Sequence, residues 1–447
     1  MTVMMNNHMG DLVKAIGDIS DSSKNIAKII RLLMKLLSRR IFSPSMPQPA
    51  QSFCRRRWLN SGYNKIMRYG LYIHIPFCRQ KCFYCDFPSV AMAGGREKLM
   101  KPYVETICGE IEKWHKKIEE EKLGAPSTVY IGGGTPTALS EELLEKVLCR
   151  IGKISIEIPE FTIEANPGTV DLEKLRLLRK YGVNRLSIGV QTFDDEALKR
   201  IGRIHSGKEA VEAVELAIRA GFENISIDLI YGLPKQTMAD FQKNVEKAMG
   251  LPVKHISIYG LQVEEGTVFG KLAEQGRLEL PSEEVSEAMY DYLNEMLPQN
   301  GFQRYEISNY AKNGYESKHN LSYWQDIPYI GLGAGAHAYW QGQRYYNPVD
   351  IREYVSRAEK GDKLWEVEEL LTEKEHMEEF CFLALRTVAG INRKRFAEVF
   401  GKSLDNVYGK VIEALIKKGL LEDNTDGVCL TKLGMKYGNQ VFQEFLL

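Results

Sequence analysis

The sequence has no excess of either charge: lysine plus arginine and aspartate plus glutamate each number 59. A balanced chain gives no charge-based reason to expect a nucleic acid partner. It also lacks an apolar run long enough to span a bilayer. Cysteine is scarce, eight in 447 residues, too thin for the disulfide framework of a small secreted domain, and a chain of this length buries its own core. With 44% hydrophobic and 26% charged residues, what remains is the composition of a cytoplasmic protein of two or three packed domains.

The cysteines that are present are unevenly placed. Cys54, Cys108, Cys149, Cys381 and Cys429 are scattered and read as core residues or unpaired surface thiols. Cys78, Cys82 and Cys85 instead fall within eight residues, in Cys78-Arg-Gln-Lys-Cys82-Phe-Tyr-Cys85, directly after the strand-like run Leu71-Tyr-Ile-His-Ile-Pro76. A structural zinc site usually takes four ligands, and no nearby Cys or His completes the set. Three thiolates suit a [4Fe-4S] cube, holding three irons and leaving the fourth open to a non-protein ligand.

From residue 71 short apolar strands alternate with amphipathic helices, the pattern of parallel strands joined by helical crossovers. Strands are expected at 71–75, 128–132, 161–165, 185–190, 225–231 and 255–260. The β-branched run Ile225-Ser-Ile-Asp-Leu-Ile230 suits a strand covered on both faces. Six units fall short of the eight of a closed barrel, so the fold class is α/β with a partial (β/α)6 TIM-like barrel whose site lies after the strands' carboxyl ends. The unusual residues collect there: the cysteines after strand one, Gly132-Gly-Gly-Thr-Pro136 after strand two, Glu164 and Asn166 at strand three, Gln191 at strand four and Asp228 in strand five. Singly, Glu164, Gln191 and Asp228 could serve only to pair with Arg185, Arg203 or each other. Their convergence beside three thiols favours a binding site.

Tyr72-Ile-His-Ile-Pro-Phe-Cys78, the two further cysteines and the Gly-Gly-Gly-Thr-Pro run resemble the radical S-adenosylmethionine (SAM) superfamily, in its oxygen-independent coproporphyrinogen oxidase-like branch. The resemblance extends from about residue 69 to the C-terminus. It implies that Cys78, Cys82 and Cys85 ligate the cluster and that SAM, bound to the open iron, can be cleaved to a deoxyadenosyl radical. It places Tyr72, Tyr84, Gly133, Gly134, Thr135, Glu164, Gln191, Arg203 and Asp228 where the branch contacts SAM. Coproporphyrinogen III dehydrogenases, which oxidatively decarboxylate two propionates, resemble CxxxCxxCxC, whereas this chain has Phe87 at the fourth cysteine's place. Cys85-Asp86-Phe87 is similar to the haem chaperones of the branch, as is His319-Asn320-Leu-Ser-Tyr323-Trp324, an HNxxYW motif. The resemblance therefore implies haem as cargo, delivered to respiratory haem proteins, with His319 as an expected ligand and His337 as a second candidate. Conversion of coproporphyrinogen III to protoporphyrinogen IX is the alternative.

Four regions are expected. Residues 1–68 form an extension with a basic amphipathic helix around 26–37 and a proline-rich linker, or sequence ahead of a natural start at Met67. Residues 69–290 form the radical SAM core, 291–365 a linking segment with the HNxxYW motif, and 366–447 a winged-helix-like, α-rich domain of the HemN C-terminal type. In this last region acidic residues interleave with the lysines, which argues against DNA binding; the family resemblance implies a lid or docking role instead. The expected partners are haem and acceptor haem proteins. Membrane contact is expected only through an acceptor or the N-terminal helix, and dimerisation is left open.

Overall fold

The structure is a computed structural model that describes residues 68–447, positions 156 and 425 apart. The extension expected over 1–68 lies outside the described residues except for Arg68. Six parallel strands stand side by side: β1 (Gly70–Ile75), β2 (Thr128–Gly133), β3 (Glu160–Ala165), β4 (Arg185–Gln191), β5 (Asn224–Tyr231) and β6 (His255–Gly260). Helices Met100–Glu121, Glu141–Gly152, Leu172–Lys180, Gly207–Arg219 and Met238–Gly250 lie between successive strands. This is the expected partial barrel.

Strict alternation along the strands builds its two faces. Leu71, Ile73, Ile75, Val129, Ile131, Ile163, Leu186, Ile188, Ile225, Ile227 and Ile256 are buried in one core with helix residues such as Val104, Ile107, Leu144 and Leu175. On the other face the ladder partners are polar. Tyr72, Tyr130, Thr162, Arg185 and Asn224 form one row across the sheet. Glu164, Ser187, Ser226 and His255 form the next, and Gly189, Asp228 and Ser257 a third. The run 225–230 is therefore not covered by apolar contacts on both faces, because Ser226 and Asp228 look inward. A closed barrel fills its interior with branched side chains. Here that face is given to a binding site.

The sheet extends past the six strands at both edges. Tyr329–Leu332 runs parallel to β1 on the side away from β2, and His337–Trp340, Gln343–Tyr346 and Glu366–Leu370 follow it antiparallel. Beyond β6 lie Asn309–Ala311 and Gln303–Arg304. The segment expected to link two domains thus supplies strands to the main sheet. Helix Glu283–Gln299 also runs across the expected boundary at 290/291, and strand Glu366–Leu370 carries the sheet past 365.

The C-terminal helices Glu373–Leu385, Arg393–Phe400 and Leu404–Lys417 surround a three-stranded sheet of Ile391–Asn392, Gly427–Leu430 and Leu421–Asp423. Their core, with Phe380, Phe396, Phe400, Tyr408 and Ile412, is separate from that of the barrel, as a winged-helix-like unit requires. No helix among the described residues is long and apolar enough to cross a membrane.

One buried carboxyl ties the added strands to the barrel's helical layer. Glu110, in helix Met100–Glu121, accepts hydrogen bonds from Gly333 N–H at 2.8 Å, Tyr354 Oη at 2.6 Å and Asn347 Nδ2 at 3.0 Å. Replacing Glu110→Ala orphans the Gly333 N–H and the Tyr354 hydroxyl, while Asn347 Nδ2 keeps the Gly333 carbonyl, and should cost roughly 3 kcal/mol of unfolding free energy. Chemical denaturation would check this, and an unchanged midpoint would contradict it.

Candidate functional site

The carboxyl ends of the strands enclose a cavity of about 450 Å³. Of the residues expected there from sequence, Cys78, Cys82, Cys85, Tyr84, Gly133, Gly134, Thr135, Glu164, Gln191, Arg203 and Asp228 all line it. Tyr72 does not. It stands on the barrel's inner face, its hydroxyl 2.8 Å from His74 Nδ1.

The cysteine loop leaves β1 and is held by backbone pairing. Phe77 and Cys78 pair in parallel with Val90 and Ala91, and Phe83 N–H donates to Ile201 O at 3.0 Å. The glycine run lets β2's end come close. A Cβ on Gly134 would stand 2.8 Å from Phe77 O and 3.0 Å from Cys78 Sγ, and Gly133 has φ +114° with the His74 ring where its side chain would go. Only glycine fits both constraints.

A chain of hydrogen bonds joins this loop to the next strand ends. Thr135 Oγ1 donates to Cys78 Sγ at 3.5 Å, Asn166 Nδ2 donates to Thr135 Oγ1 at 2.8 Å, and Arg203 Nη2 donates to Asn166 Oδ1 at 2.8 Å. Arg203 also donates to the Gly189 carbonyl and, through Nη1 at 3.6 Å, to Cys82 Sγ. Donors to sulfur of this kind tune an iron–sulfur centre. Burial pushes the Cys78 and Cys85 thiols up, the Thr135 contact opposing this at Cys78, so thiolates there need a strongly positive partner. Among the described residues no three His, Cys, Asp or Glu converge closely enough to hold a single metal ion. A [4Fe-4S] cube would take each thiolate on a different iron.

The rest of the wall carries both signs of charge. Glu164 accepts from Tyr130 Oη at 2.7 Å and from Gly133 N–H at 3.1 Å, and desolvation pushes its carboxyl up to about 7. Asp228, with Ser187 Oγ at 3.4 Å, is raised as well, burial again being the main cause. Nε of Arg185 and Nε of Arg203, both buried, have no hydrogen-bond partner. Carboxyls held against burial and guanidinium donors left over fit a zwitterionic ligand, its cationic part on the acids and its carboxylate on an arginine. SAM has that chemistry. Gln191 reaches the wall by a bulge in β4 opposite β5 and a left-handed backbone with φ 67°, a sparsely populated state for a non-glycine residue.

Several lining residues were not expected from sequence: Tyr130, Ser187, Ser257 and Tyr259. Their signal was period-two polarity in strands read as apolar. His319 is not on the cavity wall. That residue is 1% exposed, on helix Lys318–Trp324, which closes the barrel floor. Its Nδ1 meets Thr128 Oγ1 and its Nε2 meets Tyr323 Oη, each at 2.8 Å. Its ring stacks on Tyr130 at 5.0 Å, and its backbone N–H donates to Glu160. Burial drops its pKa to about 3. Both ring nitrogens of His319 are therefore engaged within the barrel floor. Trp324 of the same motif meets the Arg386 guanidinium at 4.5 Å, linking the floor to the C-terminal unit.

Two predictions follow from this wall. Gly134→Ala should displace the cysteine loop and lower iron content after anaerobic reconstitution at least several-fold, and full iron loading would contradict the packing. Glu164 binds its proton more tightly folded than unfolded, so its own contribution to stability should be fully present below about pH 4.5 and be lost as pH rises through about 7, by up to roughly 3 kcal/mol. Glu164→Gln should flatten that decline in melts across the same range.

Residues 72–248 match the model of the Radical SAM superfamily, and residues 371–436 match the HemN C-terminal domain. A Bacillus subtilis protein named heme chaperone HemW is 43% identical over 379 residues, 84% of this chain and 98% of that one. The protein of that name from Lactococcus lactis is 42% identical over 84% of this chain and 97% of its own. The solved coproporphyrinogen III oxidase HemN of Escherichia coli superposes with a TM-score of 0.74 over 92% of this chain and 98% of that one, at 21% identity, a likeness of fold. On these matches the chain belongs to the HemW family of the radical SAM superfamily.

Proposed function

We propose that this protein is a cytoplasmic haem chaperone that holds a [4Fe-4S] cluster and SAM and hands haem to haem-dependent acceptor proteins, respiratory ones among them. Cys78, Cys82 and Cys85 would take three irons. SAM would occupy the cavity beside them, against Gly133 to Thr135, Glu164, Gln191, Arg203 and Asp228, with Tyr84 at the loop. When bound, such a pair supplies one-electron reductive chemistry. The protein's own part is to hold, orient and shield. Tyr130 and Gly133 N–H fix the Glu164 carboxyl, and Asn166 aligns Arg203 between two strand ends.

The observation that carries the chaperone reading is Phe87. It follows Cys85 by two positions, is 62% exposed and lines the cavity mouth. An apolar ring there cannot supply the thiol expected of a decarboxylating relative, but it can meet a flat apolar cargo. The relatives named heme chaperone support the same choice.

A paired assay on the anaerobically reconstituted chain tests it. Haem should bind saturably with a Soret band, and coproporphyrinogen III with SAM should give no protoporphyrinogen IX. Turnover of coproporphyrinogen, or haem affinity no better than that of a nonspecific protein, would overturn the reading.

A further inference from the structure

Helix Leu172–Lys180 buries an ammonium where electrostatics oppose one. Asp171 caps the helix, its carboxylate accepting from Lys174 N–H at 2.8 Å, which puts Lys174 in the first turn. A cation there meets the positive end of the helix dipole. Lys174 is also only 9% exposed, so its charge has lost most of its water. Burial pulls its pKa below the ordinary lysine value, with Asp171 and Glu141 opposing. What the ammonium meets is backbone: it donates to Thr137 O at 2.9 Å, Leu139 O at 3.1 Å and Thr169 O at 3.3 Å. All three of its donors are thereby used.

Those carbonyls belong to two rim loops. Helical side chains lean towards the N-terminus of their helix, so a first-turn lysine reaches past the helix start to the loop after β2, residues 134–139, and the loop after β3, residues 166–171. Thr137 Oγ1 and Thr169 Oγ1, 2.7 Å apart, tie the same loops a second time. Thr169 Oγ1 also donates to Asn166 O at 2.6 Å. The spacing set in this way matters one bond further in. Asn166 Nδ2 crosses to Thr135 Oγ1, which donates to Cys78 Sγ, and Asn166 Oδ1 receives Arg203. From the opposite side Arg79, in the cysteine loop itself, donates to Gly168 O at 2.7 Å. The loop after β3 is therefore pressed by the cysteine loop in front and braced by Lys174 from the helical layer behind. An apolar side chain of the same length would fill the space and leave three carbonyls without that donor.

We propose that Lys174 is a positioning residue for the cluster and SAM, an inference that rests on the cluster-and-SAM part of the reading above. Its ammonium fixes the distance between the loops after β2 and β3, and through Thr135 and Asn166 it sets the donor at Cys78 Sγ and the seat of Arg203. A charge that costs stability at the helix start is retained because it aligns the site.

The test uses the full chain, reconstituted anaerobically, as wild type, Lys174→Met, Thr135→Val and the double variant. Iron and sulfide content, SAM affinity by equilibrium dialysis and the cluster midpoint potential by EPR-monitored redox titration are measured on each. Lys174→Met should keep its iron, bind SAM about tenfold more weakly and have a lower midpoint potential, because a donor to sulfur favours the reduced, more negative cluster. Thr135→Val should also lower the potential, and adding Lys174→Met to it should shift the potential little further, the non-additivity of residues that act through one another. Thr137→Val, which cuts the second tie between the loops, should show the same two shifts in smaller measure and serves if Lys174→Met does not fold. Wild-type SAM affinity and potential in Lys174→Met, or in Thr137→Val where it alone folds, would overturn the assignment, as would fully additive shifts in the double variant. Each of these leaves the cluster-and-SAM reading intact. A wild-type chain that forms no cluster or binds no SAM would remove both.

Discussion

Strand Gly70–Ile75 is paired in parallel on both sides, with Tyr329–Leu332 on one edge and Thr128–Gly133 on the other. An edge strand would leave the loop that follows it free to move, with unpaired backbone groups. A central one projects the cysteine triplet from the most restrained part of the sheet. Its outward residues, Leu71, Ile73 and Ile75, are fully buried against the helical layer. Parallel pairing also fixes polarity, so the ends of β2 to β6 reach the same rim as the cysteines. The site is a consequence of register.

The same strand explains how the added segment is used. Residues 329–346 extend the sheet from β1 and bring the Gly331–His337 turn against Pro88 of the cysteine loop. Glu110 and Tyr103 lock that turn by hydrogen bonds to Gly333 N–H and Ala334 N–H. At the opposite end, the HNxxYW helix seals the floor. Its backbone N–H groups at Lys318 and His319 meet the Glu160 carboxylate, each at 2.8 Å. One segment therefore closes the barrel below and shapes its mouth above, and the two histidines in it have opposite environments.

Much of this was legible from sequence, for physical reasons that differ by element. The triplet needs only spacing, and the six strands only short apolar runs between amphipathic helices. The C-terminal helices near 373, 393 and 404 carry their own periodicity, and the structure has them at those positions. What was not legible depends on tertiary pairing. Ile225-Ser-Ile-Asp-Leu-Ile230 looks apolar until register sends Ser226 and Asp228 inward beside Ser187 and Ser257. The short strands at 303–311 and 329–346 have too few residues to show a period and are made by their neighbours. The HNxxYW motif does not say what each ring nitrogen of His319 meets. Burial against Thr128, Tyr130 and Tyr323 decides that.

In the proposed function the three thiols at this rim would hold a cluster with one iron open to SAM. Its most direct measurement is the iron, sulfide and reduced-state EPR spectrum of the anaerobically reconstituted chain with and without SAM, alongside Cys82→Ala. A [4Fe-4S] signal that SAM alters is expected in the wild-type chain, and none in Cys82→Ala. A signal indifferent to SAM, or an intact cluster in Cys82→Ala, would contradict it.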